Sequence, residues 1–298
     1  MKLIHLPDAR PASRRIAIGT FDGVHLGHRA VIGDSDTVLT FEPHPATIVA
    51  PARLPRLLTP LPVKAELISE LGVGELIVID FDGAFAARTA SSFIDEILVG
   101  QLGVSHVAVG ENFRFGHRAL GDAELLASDL RFETRVESLL EVGDEVVSSS
   151  HIRALILAGD VADAAAFLGR PFELRGEVVA GDRRGRELGF PTANLVPDPA
   201  LVSPGHGVYA CLADGRPAAV SIGVRPTFET GRGELIEAYV LDFSGDLYGQ
   251  TLRLTFLERL RGERRFESVE ALVDQIQVDV ARTREICLGV IAPPGLLP

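Results

Sequence analysis

The sequence predicts an α/β plus β fold, in which a parallel-sheet domain is followed by a small antiparallel β-barrel with a C-terminal helix. Short apolar runs alternate with helical stretches up to about residue 169, which is the pattern of a parallel sheet covered by helices. From residue 172 the runs follow one another with only Gly, Pro and Asp clusters between them, which is typical of a small barrel. The 298 residues are enough for two domains. We expect these to be residues 1–168 and 169–298.

The first half contains four predicted strands, because each run is short, rich in β-branched residues and bounded by a turn residue. They cover residues 16–19, 37–41, 75–80 and 106–110. Helices are predicted over residues 63–72 and 91–103, where apolar residues recur at helical spacing and a glycine closes each segment. Since ligands of such sheets bind beyond the carboxyl ends of the strands, we expect a site at that edge.

The second half begins with two predicted helices, over residues 148–159 and 161–169. Five strands are then predicted, over residues 173–179, 207–213, 217–223, 235–243 and 251–260. An amphipathic segment over residues 268–286 should pack across the barrel as a helix.

Composition and charge exclude several classes of protein. With 46% hydrophobic and 23% charged residues, the chain is neither largely disordered nor a fibrous repeat nor a disulfide-stapled miniprotein. The net charge of −12 argues against nucleic acid as the main partner, because an acidic surface repels phosphate backbones. Small anionic substrates remain compatible, since arginines and helix ends can hold them locally.

Cysteine usage and hydropathy predict a soluble protein of the cytoplasm, without a membrane partner. Cys211 and Cys287 form neither a CxxC pair nor a metal-ligand spacing, which suits a reducing compartment. No apolar run approaches 18 residues, and the N-terminal segment has no apolar signal region. Oligomerisation is possible, but nothing in the sequence indicates a particular oligomeric state.

The segment GTFDGVHLGH, residues 19–28, directly follows the first predicted strand. His25 and His28 would lie on one face of a helix beginning here, and Gly27 would let a phosphate approach the backbone. Two imidazoles beside a helix N-terminus suit the stabilisation of charge on a reacting phosphate. The alternative is a pair of surface polar residues near a glycine turn. We expect three residues of the preceding turn to lie at the same phosphate site, namely Gly19, Phe21 and Asp22.

A second phosphate-binding candidate is VSSSHIR, residues 147–153. Ser148, Ser149 and Ser150 can cap a helix and donate to phosphate oxygens. Arg153 could then reach the β- and γ-phosphates of a nucleotide. The alternative for this segment on its own is an ordinary helix N-cap.

Together these two segments resemble the HxGH nucleotidyltransferase superfamily, whose Rossmann-like domain transfers a nucleotidyl group from a nucleoside triphosphate to a phosphate acceptor. The acceptor is suggested by the loop after the fourth predicted strand. Phe113 and Phe115 could stack on a planar ring, and Asn112 could hydrogen bond a heterocycle edge.

The most specific stretch of the second half is GDRRGRELGFPTANL, residues 181–195. Its glycines form a loop that could cover phosphates, and Thr192 and Asn194 offer oxygens to Mg²⁺. We expect three further residues of this loop to contact ATP, namely Gly181, Arg186 and Gly189. Glu237 falls on a predicted strand, where it is either functional or simply turned to solvent by the strand alternation.

The whole chain, from about Ile16 to Ile286, resembles the bacterial bifunctional riboflavin kinase/FAD synthetases, with both signature sets in the expected order. The resemblance implies that the first domain adenylylates FMN to FAD and that the barrel phosphorylates riboflavin to FMN. ATP would be the co-substrate of both reactions and Mg²⁺ the cofactor.

The resemblance also implies roles for individual residues. His25 and His28 would stabilise the reacting α-phosphate, and the serines with Arg153 would hold the leaving pyrophosphate. The flavin would be faced by Asn112, Phe113 and Phe115 in the first domain, and by Arg225 with the Asp246–Gly249 turn in the barrel. Thr192 and Asn194 would bind Mg-ATP, and Glu237 would be the base on the riboflavin 5′-hydroxyl.

One departure from the family pattern follows His28. Only RAVIGDSD, residues 29–36, separates it from the next strand, whereas the family usually has a helix of about three turns there. A shortened helix could impair FAD synthesis, so a flavin- and nucleotide-binding protein with kinase activity only is an alternative. A further alternative is an HxGH enzyme that adenylylates another phosphate ester, although the PTAN, RPTF and DLYG segments argue against it.

Overall fold

A computed structural model describes residues 1–181, 185, 188–224 and 234–291. The chain divides into two compact units, Met1–Ser149 and Ser150–Pro298. The helices that follow Ser149 are therefore grouped with the barrel, whereas the domain boundary predicted from the sequence lies at residues 168 and 169.

The first unit is built on a six-stranded parallel sheet in the order β1-β4-β3-β2-β5-β8. Its strands are β1 (Lys2–His5), β2 (Arg14–Ile18), β3 (Thr37–Glu42), β4 (Glu75–Asp80), β5 (Val104–Gly110) and β8 (Glu133–Glu137). Short antiparallel pairs are formed by β6 (Arg114–Phe115) with β7 (Gly121–Asp122) and by β9 (Glu141–Val142) with β10 (Glu145–Val146). The parallel sheet predicted from the sequence is confirmed, and β1 and β8 extend it at its two edges.

Helices of the first unit connect the strands and cover the sheet. They are α1 (Leu26–Ile32), α2 (Ala46–Val49), α3 (Leu61–Glu70), α4 (Gly83–Ala86), α5 (Ala90–Ser92), which continues as a π-helix (Phe93–Leu102), and α6 (Ala123–Ala127). Single 3₁₀ turns occur at Leu6–Asp8, Pro51–Arg53 and His117–Ala119.

Alternation along the strands builds one apolar core on each face of the sheet. Ile16 and Ile18 of β2 belong to the core that includes the π-helix, whereas Ala17 belongs to the core that includes α1 and α3. Both faces of the parallel sheet are therefore buried, as the near-continuous apolar strands predict.

The second unit is a closed antiparallel barrel in the order β11-β12-β15-β14-β13-β16. Its strands are β11 (Phe172–Val179), β12 (Ala193–Val196), β13 (Gly207–Ala213), β14 (Arg216–Val224), β15 (Glu234–Val240) and β16 (Thr251–Arg261). Its helices are α8 (Val161–Leu168), α9 (Val269–Ile291) and α7 (Ser149–Ala158), whose first residue is the last of the first unit. The predicted barrel is confirmed, with β12 as a strand that the sequence analysis did not identify.

The C-terminal helix α9 packs on the barrel, as its amphipathic pattern predicts. The Cys287 thiol donates a hydrogen bond to the Cys211 carbonyl at 3.3 Å, and both cysteines are buried free thiols. Asp279 of α9 accepts from the Arg261 guanidinium at 2.9 Å with both groups largely buried.

Arg14 provides a test of how the first sheet is held. Only 6% exposed, it donates to Glu75 Oε2, Arg10 O and Leu102 O, each at 2.7 Å. We expect Arg14→Met to lower the free energy of unfolding of this unit by about 3 kcal/mol, because it leaves a carboxylate and two carbonyls without their donor.

Amide hydrogen exchange of β2 and β5 at rising urea concentration measures that loss within the first unit. The control is Arg131→Met, whose arginine is half exposed and pairs with Asp95 and Asp129. It should cost less than about 1 kcal/mol. Equal costs for the two variants would contradict the prediction.

Candidate active sites

The turn that joins β2 to α1 has an unusual backbone. Phe21 and Val24 have φ of 49° and 41°, and both side chains are almost completely buried. Such conformations cost about 1–3 kcal/mol each in non-glycine residues, so the surroundings must hold them. A Cβ on Gly19 would lie 3.0 Å from Cζ of the Phe21 ring, which explains the glycine at that position. Gly19 and Phe21 thus shape the turn, and their predicted contact with phosphate stays a prediction.

Asp22 anchors this turn. Its carboxylate Oδ1 accepts from the backbone N–H groups of Leu58 at 2.8 Å and Thr59 at 3.1 Å, and the residue is 3% exposed. The Thr59 hydroxyl in turn accepts from the Gly23 N–H at 3.0 Å. These bonds tie the turn to the segment that leads into α3. They give Asp22 a positioning role, and its predicted place beside a phosphate stays a prediction.

His25 and His28 lie together at the start of α1, as their spacing predicts. His25 is the N-cap residue, and its Nδ1 accepts from the His28 backbone N–H at 3.2 Å. The two rings stack with centroids 3.5 Å apart and planes 16° apart. Phe21 packs edge-on against His28, with ring centroids 5.3 Å apart. A Cβ on Gly27 would lie 3.3 Å from His25 Cε1, so a side chain at position 27 would crowd the His25 ring.

The electrostatic surroundings keep His28 neutral. Its pKa is lowered well below the usual value by burial first, then by the neighbouring His25 and by Lys64. Lys64 lies on α3 and is itself only 6% exposed. Burial lowers the pKa of this ammonium group, and the charges of Asp22 and Glu42 partly oppose that shift. The first site therefore contains a buried cation besides its two imidazoles.

Lys64 was not identified as a site residue from the sequence, although a signal existed. It is one of only two lysines in the chain. It also falls among the apolar residues that α3 buries, namely Val63, Leu67 and Ile68. A lysine on the buried face of a helix is rare unless it has charged partners.

The VSSS segment meets the His25 turn directly. Helix α7 begins at Ser149, whose hydroxyl donates to the Asp22 carbonyl at 2.9 Å. The Val147 carbonyl lies 3.7 Å from a Cβ built on Gly27. Ser148 precedes the helix, whereas Ser150 and Arg153 continue it into the second unit. The structure thus brings the two signature segments together at Ser149, and the predicted contacts with pyrophosphate stay predictions.

The predicted flavin-facing residues follow β5, the strand next to β2 in the sheet. Asn112 is exposed two residues beyond the end of β5, at the carboxyl edge where Gly19 follows β2. The rings of Phe113 and Phe115 are nearly parallel, with centroids 5.6 Å apart. Phe115 is 8% exposed and packs against Phe93, so it belongs to the core. Phe113 is partly buried against the same core, and the predicted flavin contacts of both rings stay predictions.

In the barrel, a cavity of about 550 Å³ lies where the sequence predicts ATP and flavin. Thr192 and Asn194 line it, together with Gly181 and the Asp246–Tyr248 part of the DLYG turn. Phe243 and Tyr248 add aromatic surface, and Tyr248 is half exposed. Segments more than 50 residues apart in sequence are thus brought to one cavity. Two predicted contacts, Arg186 and Arg225, lie outside the described residues.

Glu237 is placed beside Asn194 by the register of the barrel. Asn194 of β12 is directly opposite Glu237 of β15, and Glu237 is directly opposite Ser221 of β14. Side chains at opposed positions of antiparallel strands share a face of the sheet, so these three polar residues form a row. Ser221 was not identified from the sequence because only strand pairing brings it to this row.

Glycines allow the loop before β12 to approach that row. A Cβ on Gly181 would lie 2.2 Å from Asn194 Nδ2, so only glycine fits against this buried amide. A Cβ on Gly185 would lie 2.4 Å from the Phe190 carbonyl oxygen. Phe190 packs edge-on against Tyr239 of β15, with ring centroids 5.4 Å apart. At Gly189 the φ of 87° favours glycine for the backbone itself.

Comparison with known proteins finds a match for each half of the chain. A family model for FAD synthetase matches residues 8–151, and one for riboflavin kinase matches residues 168–287. The bifunctional riboflavin kinase/FMN adenylyltransferase of Bacillus subtilis (strain 168) is 37% identical over 295 residues, which cover 92% of this chain and 93% of the relative. The protein of the same name from Escherichia coli (strain K12) is 37% identical over 315 residues, covering 98% and 100%.

This chain belongs to the bifunctional riboflavin kinase/FMN adenylyltransferase family. Among solved structures, one described as a macrolide-efflux protein from Streptococcus pneumoniae has a TM-score of 0.87 at 30% identity, covering 95% of this chain and 99% of its own. The Streptococcus pneumoniae protein therefore has the same fold as this chain, although its description names a different function. In the part of this chain that the structure describes, no helix has the length and apolarity of a membrane span.

The state of His28 can be measured directly. We expect NMR titration to show its ring neutral well below pH 6.5, its ordinary pKa, because burial and the charges of His25 and Lys64 disfavour the cation. Lys64→Met should raise the His28 pKa. Since the unfolded chain binds this proton more readily than the folded one, His28 stabilises the fold above its ordinary pKa and destabilises it as pH falls below that value.

The control is Lys2→Met, which removes the other lysine of the chain from an exposed position. It should leave the His28 titration unchanged. A His28 pKa at its ordinary value in the wild-type protein, or one that does not respond to Lys64→Met, would contradict this account.

Proposed function

We propose that the chain catalyses two successive steps of flavin cofactor synthesis, each in its own domain. The barrel, residues 169–298, phosphorylates riboflavin to FMN, and the parallel-sheet domain, residues 1–168, adenylylates FMN to FAD. The observation that carries the proposal is that each unit assembles its own set of reactive groups. These are the stacked His25 and His28 at the start of α1, and Glu237 beside Asn194 next to the barrel cavity.

In the adenylylation, a phosphate oxygen of FMN attacks the α-phosphorus of ATP, and the bond to the pyrophosphate oxygen breaks. His25 and His28 stabilise the charge that develops on the α-phosphate. Because His25 Nδ1 accepts a hydrogen bond, the neutral ring carries its proton on Nε2, where it can donate. Ser148, Ser149, Ser150 and Arg153 hold the departing pyrophosphate. Asn112 and Phe113 face the flavin, with Phe115 packed against the Phe113 ring.

In the kinase reaction, Glu237 accepts the proton of the riboflavin 5′-hydroxyl as its oxygen attacks the γ-phosphorus, and ADP leaves. Thr192 and Asn194 offer oxygen atoms to Mg-ATP at the cavity, which are the ligands that Mg²⁺ prefers. Mg²⁺, when bound, neutralises charge on the transferred phosphoryl group. Gly181, Arg186 and Gly189 border the phosphates. Arg225 and the DLYG turn border the flavin.

The substrates of the proposal are riboflavin, FMN and ATP. Two free buried thiols support a reducing compartment, the cytoplasm, for both reactions. The acidic net charge of −12 disfavours a nucleic-acid partner. We do not propose a protein that only binds flavin and nucleotide, because the shortened α1 still brings His25 and His28 together.

A flavin time course tests the order of the two steps. Purified protein is incubated with riboflavin, ATP and Mg²⁺, and the flavins are separated by chromatography. FMN should appear first and FAD later. Accumulation of FMN without FAD, even from supplied FMN, would contradict the adenylylation step. Absence of any product would contradict both steps.

The kinase site is tested by Glu237→Gln. We expect FMN formation to fall by about 10²–10⁴-fold, because the amide cannot accept the hydroxyl proton, while adenylylation of supplied FMN continues. Glu177→Gln, at an exposed position of β11 in the same barrel, should leave both activities unchanged. Loss of both activities in Glu237→Gln would contradict the assignment of two separate sites.

The adenylylation site is tested by the converse variant, His28→Ala. FAD formation from FMN should be lost, because the reacting phosphate loses one of its two imidazoles, and the kinase rate should not change. The two rates are read from the same preparation by supplying either riboflavin or FMN. Retention of FAD formation would overturn the role proposed for the histidine pair.

A further inference from the structure

The helix that carries the histidine pair is too short to hold its own orientation. Helix α1 has seven residues, about two turns. Isolated helices shorter than about 12–15 residues are marginal in water, and the last carbonyls of any helix lack partners within it. The direction in which His25 and His28 point therefore depends on what binds the two ends of α1.

At the C-terminal end of α1, the partner is Arg135 of β8. Its Nη1 donates to the Ala30 carbonyl at 3.2 Å, and its Nη2 donates to the Val31 carbonyl at 2.8 Å. A guanidinium group in this position satisfies two terminal carbonyls with one rigid fork and places a cation at the negative end of the helix. This contact links residues more than 100 positions apart in the chain.

Arg135 is itself held in place from several sides. It forms an ion pair with Glu137 of its own strand, and Asp34 lies 4.0 Å away. A Cβ on Gly33, the residue after α1, would lie 2.6 Å from Arg135 Nη2. The chain thus keeps Gly33 without a side chain at the point where the guanidinium reaches the helix. Strand β8 pairs with β5, so the backbone of Arg135 is fixed in the sheet.

We propose that Arg135 is a positioning residue for the adenylyl transfer. It clamps the C-terminal end of α1 to the sheet while His25 caps the N-terminal end, so the stacked rings keep a fixed direction relative to the strand edge. This inference rests on the proposed role of His25 and His28 in that reaction. Small displacements of reacting groups are costly, since a shift of about 1 Å can lower a rate by about 100-fold.

The test uses Arg135→Gln, which keeps a polar side chain but removes the charge and the forked donor. We expect kcat for FAD formation to fall about 10–100-fold. The KM values for FMN and ATP should change little, because the histidines act on the transition state. The riboflavin kinase rate of the same preparation should not change. Arg135→Lys should give an intermediate kcat, because one ammonium group cannot serve both carbonyls as the fork does.

Chemical rescue separates positioning from a general loss of stability. In Arg135→Ala, added guanidinium at non-denaturing concentration should restore part of kcat, whereas the same concentration of sodium should not. The control variant is Arg131→Gln, an arginine of the same unit that is half exposed and bonded to Asp95 and Asp129. It should retain the wild-type kcat and show no response to guanidinium.

The outcomes distinguish the inference from the proposed function. Wild-type kcat in Arg135→Gln, together with an inactive His28→Ala, would overturn the inference and leave the proposed function standing. The same holds if kcat per folded molecule is unchanged, or if guanidinium gives no rescue. If Arg135→Gln does not fold, wild-type kcat in Arg135→Lys overturns the inference. FAD formation by His28→Ala would overturn both.

Discussion

The first site depends on the hydrogen bonds of Asp22, because they hold a turn that would not hold itself. Two non-glycine residues of this turn have positive φ, at a cost of about 1–3 kcal/mol each. The Asp22 carboxylate accepts from two backbone N–H groups, and its carbonyl accepts from the Ser149 hydroxyl. Hydrogen bonds to a charged group contribute about 1.5–3 kcal/mol each, which is enough to offset that strain. The same bonds join three distant segments around His25 and His28.

The sequence predicted the interior of the fold better than its margins. The four central strands of the sheet have continuous apolar runs, and all four were identified. The edge strands β1 and β8 have mostly exposed or half-exposed residues, so neither shows the pattern of a buried strand. Strand β12 has four residues and follows Pro191 closely, which leaves too short a run for its alternation to be recognised.

Among the site residues, those placed by local sequence spacing were predicted, whereas those placed by contacts between distant segments were not. The common face of His25 and His28 was predictable because helical spacing over three residues is a local property, whereas the stacking of their rings was not predicted. Ser221 and Arg135 acquire their places only through strand register or tertiary packing, which a single sequence does not contain. Lys64 could have been found from its place on the buried face of α3. The ligand role that the sequence indicated for Phe115 stays a prediction, and packing against Phe93 accounts for its burial.

The charge arrangement of the first site suits a reaction between two anions. With ring centroids 3.5 Å apart, His25 and His28 repel each other when both are protonated. Burial first, then the charges of His25 and of the Lys64 ammonium group, lower the pKa of His28, so the resting His28 ring is neutral. An arriving triphosphate adds negative charge and raises the pKa of His28 again. On the proposed mechanism, positive charge at His28 therefore develops when the phosphates are bound, and it is greatest where the transferred phosphate gains negative charge.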